Sequence, residues 1–186
     1  MFQDKLLGYF QLQRETINQN FKLALEHNDP DGVHDLRVAL KRMKALFNLV
    51  EALNGEFGAK KQFKNFWRIS KKSCILRDSQ VQQLITGKLK TTLNHDLHEY
   101  EMFLKEKEKE SFSIFQLFTI KNPLDSLEKS RKRIAKALKN ISPICAETKA
   151  YGRIFNLRNE LILTGTDRNP GNKMLHKLRI LAKETH

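Results

Sequence analysis

The sequence predicts an all-α protein. Apolar residues recur at helical spacing along almost the whole chain, and only 8 glycines and 4 prolines interrupt its 186 residues. Most of these interrupters sit where helices would begin or end. The periodicity predicts helices near 2–28, 32–54, 57–77, 79–110, 123–140, 143–164 and 172–186.

Several breaks have a local signal. "NDPDG" at 28–32 separates the first two helices and "NGEFG" at 54–58 the next two. Connections this short make the joined helices antiparallel neighbours, which predicts bundles. "KEKEKE" at 105–110 reads as the solvated end of a long helix, and the apolar "FSIFQLF" that follows starts a new packing surface. "NP" at 122–123 and "SP" at 142–143 each place a cap-type residue before proline, as helix starts do. "GTDRNPG" at 165–171 is a loop. The length suits a single domain over 1–186, with a first helical half over about 1–111 and a second over about 112–186.

Composition narrows the function. Lysine and arginine number 34 against 21 acidic residues, a formal net charge of +13. Such an excess implies acidic partners: nucleic acid, polyphosphate or anionic lipid. No apolar run approaches the ~18 residues of a membrane span, and no signal-peptide pattern opens the chain, so a cytoplasmic protein with no membrane partner is expected. Cys74 and Cys145 stand in apolar surroundings with no nearby second cysteine, and read as core thiols.

The segment "VHDLRVALKRMK" at 33–44 carries the most chemistry. At ~100° per residue, His34, Arg37, Lys41 and Lys44 fall within an arc of about 80°, with Asn48 inside it. Leu36, Leu40, Met43, Phe47 and Val50 lie beside the arc, and Leu46, Leu49 and Leu53 lie opposite. Apolar residues on more than one side imply a helix packed on more than one side, with its cations lining a gap. Like charges in a gap call for counter-charge, and a bound anion would supply it. Long side chains reaching solvent from a partly exposed helix account for the stripe alone equally well.

A second copy favours the anion site. "HDLRVALK" at 34–41 recurs as "HKLRILAK" at 176–183, with His, Leu, Arg, an aliphatic residue and Lys at the same offsets. His176, Arg179 and Lys183 again share one helical face, so two related helices would each contribute a histidine and two cations to a basic cleft.

These residues resemble the CHAD domain, the conserved histidine α-helical domain. The resemblance rests on "VHDLRVALKRMK", on "ILRDSQV" at 75–81, similar to a family signature that opens a helix, and on "LHKLRILAK" at 175–183, and so spans nearly the whole chain. It implies two helical bundles related by a pseudo-twofold axis around a central basic channel that binds inorganic polyphosphate. The implied channel residues are His34, Arg37, Lys41, Arg42 and Lys44 from the first motif, and His176, Arg179 and Lys183 from the second. Arg42 falls away from the stripe on the helical wheel. Lys71, Lys72, Arg131, Lys132 and Arg133 are further basic candidates, and Arg77 with Asp78 reads as an internal ion pair. The family's second motif normally continues into at least one more helix, whereas "KETH" ends this chain. The second bundle therefore reads as shortened: either a truncated form, or one whose missing wall comes from a partner, such as a second copy in a homodimer.

Polyphosphate suits such a row of cations. It is a flexible rod of oxyanions with no bases to read, so recognition needs only charge-assisted hydrogen bonds at intervals. Arginine offers forked contacts and lysine mobile point charges. From His34 to Lys44 a helix rises ~15 Å, enough to follow several phosphates. Histidine adds a ring donor, and a full charge when an adjacent polyanion favours its protonation.

Two other classes compete on the residues. The competing binding module is a nucleic-acid or acidic-protein adaptor, and nucleic-acid binding usually shows stacking aromatics among the cations or a groove-reading helix. Here Phe10, Phe21, Phe47, Phe57, Phe63, Phe66 and Trp67 follow the apolar pattern and read as core. A metal-dependent phosphohydrolase is suggested by "HD" at His34-Asp35 and His95-Asp96, and "HDLHE" adds His98. Arg37 and Lys41 would repel a cation at the first of these, and an exposed polar face explains the second. No nucleophile with a base, no glycine-rich phosphate loop and no E-x-E-x-K run is present. The expectation is a non-enzymatic polyphosphate-binding module without a cofactor, located at polyphosphate granules.

Overall fold

A computed structural model describes residues 2–93, 96–121, 126–165, 171, 173–175 and 177–178. These residues form an all-α bundle with six long helices: α1 (Phe2–His27), α2 (Pro30–Leu53), α3 (Ala59–Leu93), α4 (His98–Lys121), α5 (Ser126–Leu138) and α6 (Pro143–Gly165). None of them is long and apolar enough to cross a membrane.

The centre is the antiparallel hairpin of α1 and α2. Phe10, Ile17 and Ala24 recur every seven residues on α1, all fully buried, and meet the buried Leu36, Leu40, Met43, Phe47 and Val50 of α2. The turn between them is tight. Asn28 adopts a left-handed φ of 48°, and Asp29 then caps α2 by accepting from the Gly32 amide at 2.6 Å, with Pro30 in the first helical turn. Gly32 lies close against α1. A Cβ there would lie 2.8 Å from Leu23 Cβ and 3.3 Å from the Ala24 amide nitrogen. Gly32→Ala is therefore expected to lower stability by about 1–3 kcal/mol, read by urea denaturation, despite alanine's better helix propensity.

The α3–α4 hairpin packs on one side of this pair, and α5 and α6 pack against α1 and α2. The Lys90 ammonium meets the Glu101 carboxylate at 2.9 Å across the α3–α4 seam. That hydrogen bond holds the lysine above its usual pKa. Lower in the seam, Glu108 accepts from Gln83 at 2.6 Å, from Asn28 at 2.8 Å and from Gln80 at 3.2 Å. Phe115 then carries α4 onto Phe21 of α1, with ring centroids 6.3 Å apart.

The structure corrects two helix boundaries. A break near 78 is absent, because α3 runs unbroken for 35 residues. Nothing at Arg77–Ser79 competes with the helix: the Ser79 hydroxyl donates to the Leu76 carbonyl at 2.8 Å, and no glycine or proline intervenes. The break falls instead after Leu93, in a run of poor helix formers, where Asp96 accepts from the His98 amide at 3.0 Å. Nor does a helix end at 110; α4 passes through that position to Lys121. Its "KEKEKE" run is only partly solvated, since helical spacing puts Glu108 on the packed side with the buried Leu104, Ser111 and Phe115.

The cysteines also differ from expectation: Cys74 is half-buried and Cys145 exposed. Cys145 lies in the first turn of α6, beside Ala146, which takes the buried position. The packed side of α6 turns Ala146 and Thr164 inward, while Ile144, Tyr151, Phe155 and Ile162 form a narrow exposed stripe on the far side.

Candidate functional site

Two helices build the candidate site. On α2 the structure keeps the cation row that the sequence predicts. His34, Lys41 and Lys44 are exposed, while Arg37 and Asn48 are half-buried against α3. Burial of Leu36, Leu40, Met43 and Phe47 on the neighbouring positions fixes the row's direction. Arg37 Nη1 donates to the Ser70 carbonyl of α3 at 3.4 Å, a long contact that positions the guanidinium without using all its donors.

The facing part of α3 adds a second row. Lys60, Lys64, Trp67 and Lys71 recur at i, i+4, i+7 and i+11 and fall within about 60° of one another around the helix. Lys44 and Asn48 of α2 line one groove with Lys60, Lys64, Phe63 and Trp67 of α3, a space of about 960 Å³. Glu51 also lines it, but one of its carboxylate oxygens is engaged, accepting from the Ala59 amide at 2.8 Å where α3 begins. Gly58 permits that start through a left-handed φ of 65°. Among the described residues, none of the ion pairs engages Arg37, Lys44, Lys60 or Lys64.

Contacts between the two helices hold the pair in place. Phe47 of α2 meets Phe57, Phe63 and Phe66 edge to face, at centroid distances of 5.6, 6.0 and 6.1 Å. Arg77 Nη1 donates to the Pro30 carbonyl at 3.1 Å, tying α3 to the first turn of α2. This replaces the expected Arg77–Asp78 ion pair, because consecutive side chains diverge by ~100° on a helix. Asp78 instead accepts from the Cys74 thiol at 3.7 Å.

Other predicted residues are not brought to this face. Arg42 is exposed about 120° round α2 from the centre of the row. Lys71 joins the α3 row, whereas Lys72 is half-buried a further 100° round that helix. Arg131 lines a separate hollow with Asp4 and Arg14, beside the Arg14–Glu128 ion pair of 2.7 Å. Arg133 donates to Gln62, on the opposite side of α3 from Lys60 and Lys64, and Lys132 is exposed on the same helix, α5. His176, Arg179 and Lys183 lie outside the described residues, although between the first two the Lys177 ammonium meets Glu160 of α6 at 2.9 Å. His95 lies outside them as well. Among those described, no three His, Cys, Asp or Glu side chains are placed to share a metal ion.

Sequence reasoning missed Lys60, Lys61 and Lys64, and it placed Trp67 in the core. The structure leaves Trp67 51% exposed, with Lys71 Nζ 5.2 Å from its ring centre. Position 67 is only one step from the buried Phe66 and so turns ~100° away from the apolar stripe. Its i, i+4, i+7 spacing with Lys60 and Lys64 is the signal that could have found this face.

What this arrangement can do is hold oxyanions: a half-buried arginine, several mobile ammonium groups and an exposed imidazole follow one side of a helix pair. The CHAD domain model matches residues 8–185, a span that takes in both histidine motifs and the Arg-Asp segment between them. No curated protein and no solved structure matches the chain. The chain belongs to the CHAD domain family.

Proposed function

We propose that this chain binds inorganic polyphosphate along the α2 cation row, as a binding module rather than an enzyme, and that it associates with polyphosphate granules through that contact. The observation that carries the reading is the meeting of the α2 and α3 basic rows, where Arg37, Lys44, Lys60 and Lys64 have no ion-pair partner among the described residues. Such charges are held together at a cost that a linear polyanion offsets. Family membership supports the same ligand, since the resemblance in both histidine motifs implies it. The second motif, His176, Arg179 and Lys183, would close the site from the other side.

Competition tests the proposal. Long-chain polyphosphate should displace a fluorescent double-stranded DNA from the protein at matched phosphate concentration. Duplex DNA offers phosphates without free base faces, so displacement reports phosphate recognition alone. DNA that holds its place would favour a nucleic-acid adaptor.

A further inference from the structure

Trp67 gives the groove a feature that inorganic polyphosphate does not use. The indole is half exposed in a space that also takes Phe63 as an apolar wall, while Lys44, Lys60 and Lys64 supply ammonium groups at the same groove. Lys71 Nζ lies 5.2 Å from the indole centre and is not one of the groove's lining residues. The half-buried Asn48 adds an amide that can both donate and accept. A chain of phosphates has no apolar surface to place on an indole. A ligand with a planar aromatic end and an anionic tail uses both halves of the lining.

We propose that the groove between α2 and α3 binds a nucleoside polyphosphate, its base against Trp67 and its phosphates on Lys44, Lys60 and Lys64. A base gains affinity from an aromatic side chain whatever its identity, because every base has a π-face. This reading goes beyond the polyphosphate proposal: it shares Lys44, Lys60 and Lys64 with that site, adds Trp67, and needs none of His176, Arg179 and Lys183.

The chain has 1 tryptophan, so its fluorescence reports this groove directly. The full chain is titrated with ATP and, separately, with inorganic tripolyphosphate, with affinities also read by calorimetry. ATP should alter Trp67 emission and bind about 5- to 100-fold tighter than tripolyphosphate. Trp67→Leu should bring ATP down to the tripolyphosphate level and leave tripolyphosphate unchanged, whereas Trp67→Phe should keep part of the advantage. Because the indole is half exposed, these variants should retain native helicity; if Trp67→Leu unfolds, the wild-type comparison decides alone. ATP binding no tighter than tripolyphosphate, or an advantage that survives Trp67→Leu, would overturn the inference. Loss of long-chain polyphosphate binding with the ATP advantage intact would instead sink only the polyphosphate reading.

Discussion

Arg37→Glu combined with Arg179→Glu is expected to abolish polyphosphate binding while leaving helicity intact. A hydrogen bond to a charged partner contributes about 1.5–3 kcal/mol, so losing two arginine contacts lowers affinity by at least about 100-fold before the added repulsion of two carboxylates. The fold should tolerate the change at position 37. Arg37 reaches the Ser70 carbonyl at 3.4 Å, and that same carbonyl also accepts from the Ser73 hydroxyl at 3.0 Å, so no buried acceptor is orphaned. Fluorescence polarisation with labelled polyphosphate reads the affinity, and far-ultraviolet circular dichroism reads the helices. Undiminished binding in a folded double variant would rule out a channel built from the two histidine motifs.

Phe47→Ala is expected to have the largest effect on stability. Its ring is fully buried, and its three edge-to-face partners, Phe57, Phe63 and Phe66, lie at the start of α3 or just before it. Truncation opens a cavity between the two helices that carry the basic rows, at about 3–5 kcal/mol. For a chain of this size the melting temperature should fall by roughly 6–20 °C, measured by calorimetric or dichroism melts. Phe63 also lines the groove, so ligand affinity should weaken together with stability. A melting temperature within ~2 °C of wild type would mean that this aromatic cluster does not hold α2 against α3.

Much of the fold was legible because helix periodicity is a strong signal over long segments. The α1–α2 turn carries proline, aspartate and glycine in five residues, and the structure uses the aspartate as cap and the glycine for close approach. The helix opening that the resemblance of "ILRDSQV" implies at Arg77 and Asp78 is not formed, since α3 runs through both residues. Local charge does not end a helix; the loss of helix-favouring residues after Leu93 does. The site was legible on α2, where His34, Arg37, Lys41, Lys44 and Asn48 share one narrow arc of a helix otherwise rich in buried apolar residues. It was not legible on α3, because Phe63, Phe66 and Trp67 form a run of aromatics whose members point in different directions. The packing of Phe63 and Phe66 against Phe47 leaves Trp67 outside the core, on the face that its spacing with Lys60 and Lys64 marks. Nor could composition tell which basic clusters face the row: Arg131, Lys132 and Arg133 add charge to the chain but sit on α5, away from Arg37 and Lys44.

The most direct test of the account is a calorimetric titration of the full chain with defined-length polyphosphate and, in parallel, with double-stranded DNA of equal phosphate content, across a salt series. Tighter binding of polyphosphate at every salt concentration is predicted. Its log affinity should fall linearly with log salt, by roughly 0.7 for each phosphate neutralised if the single-strand coefficient holds. Equal affinity for both polyanions throughout the series would contradict it, leaving the rows on α2 and α3 a generic basic surface.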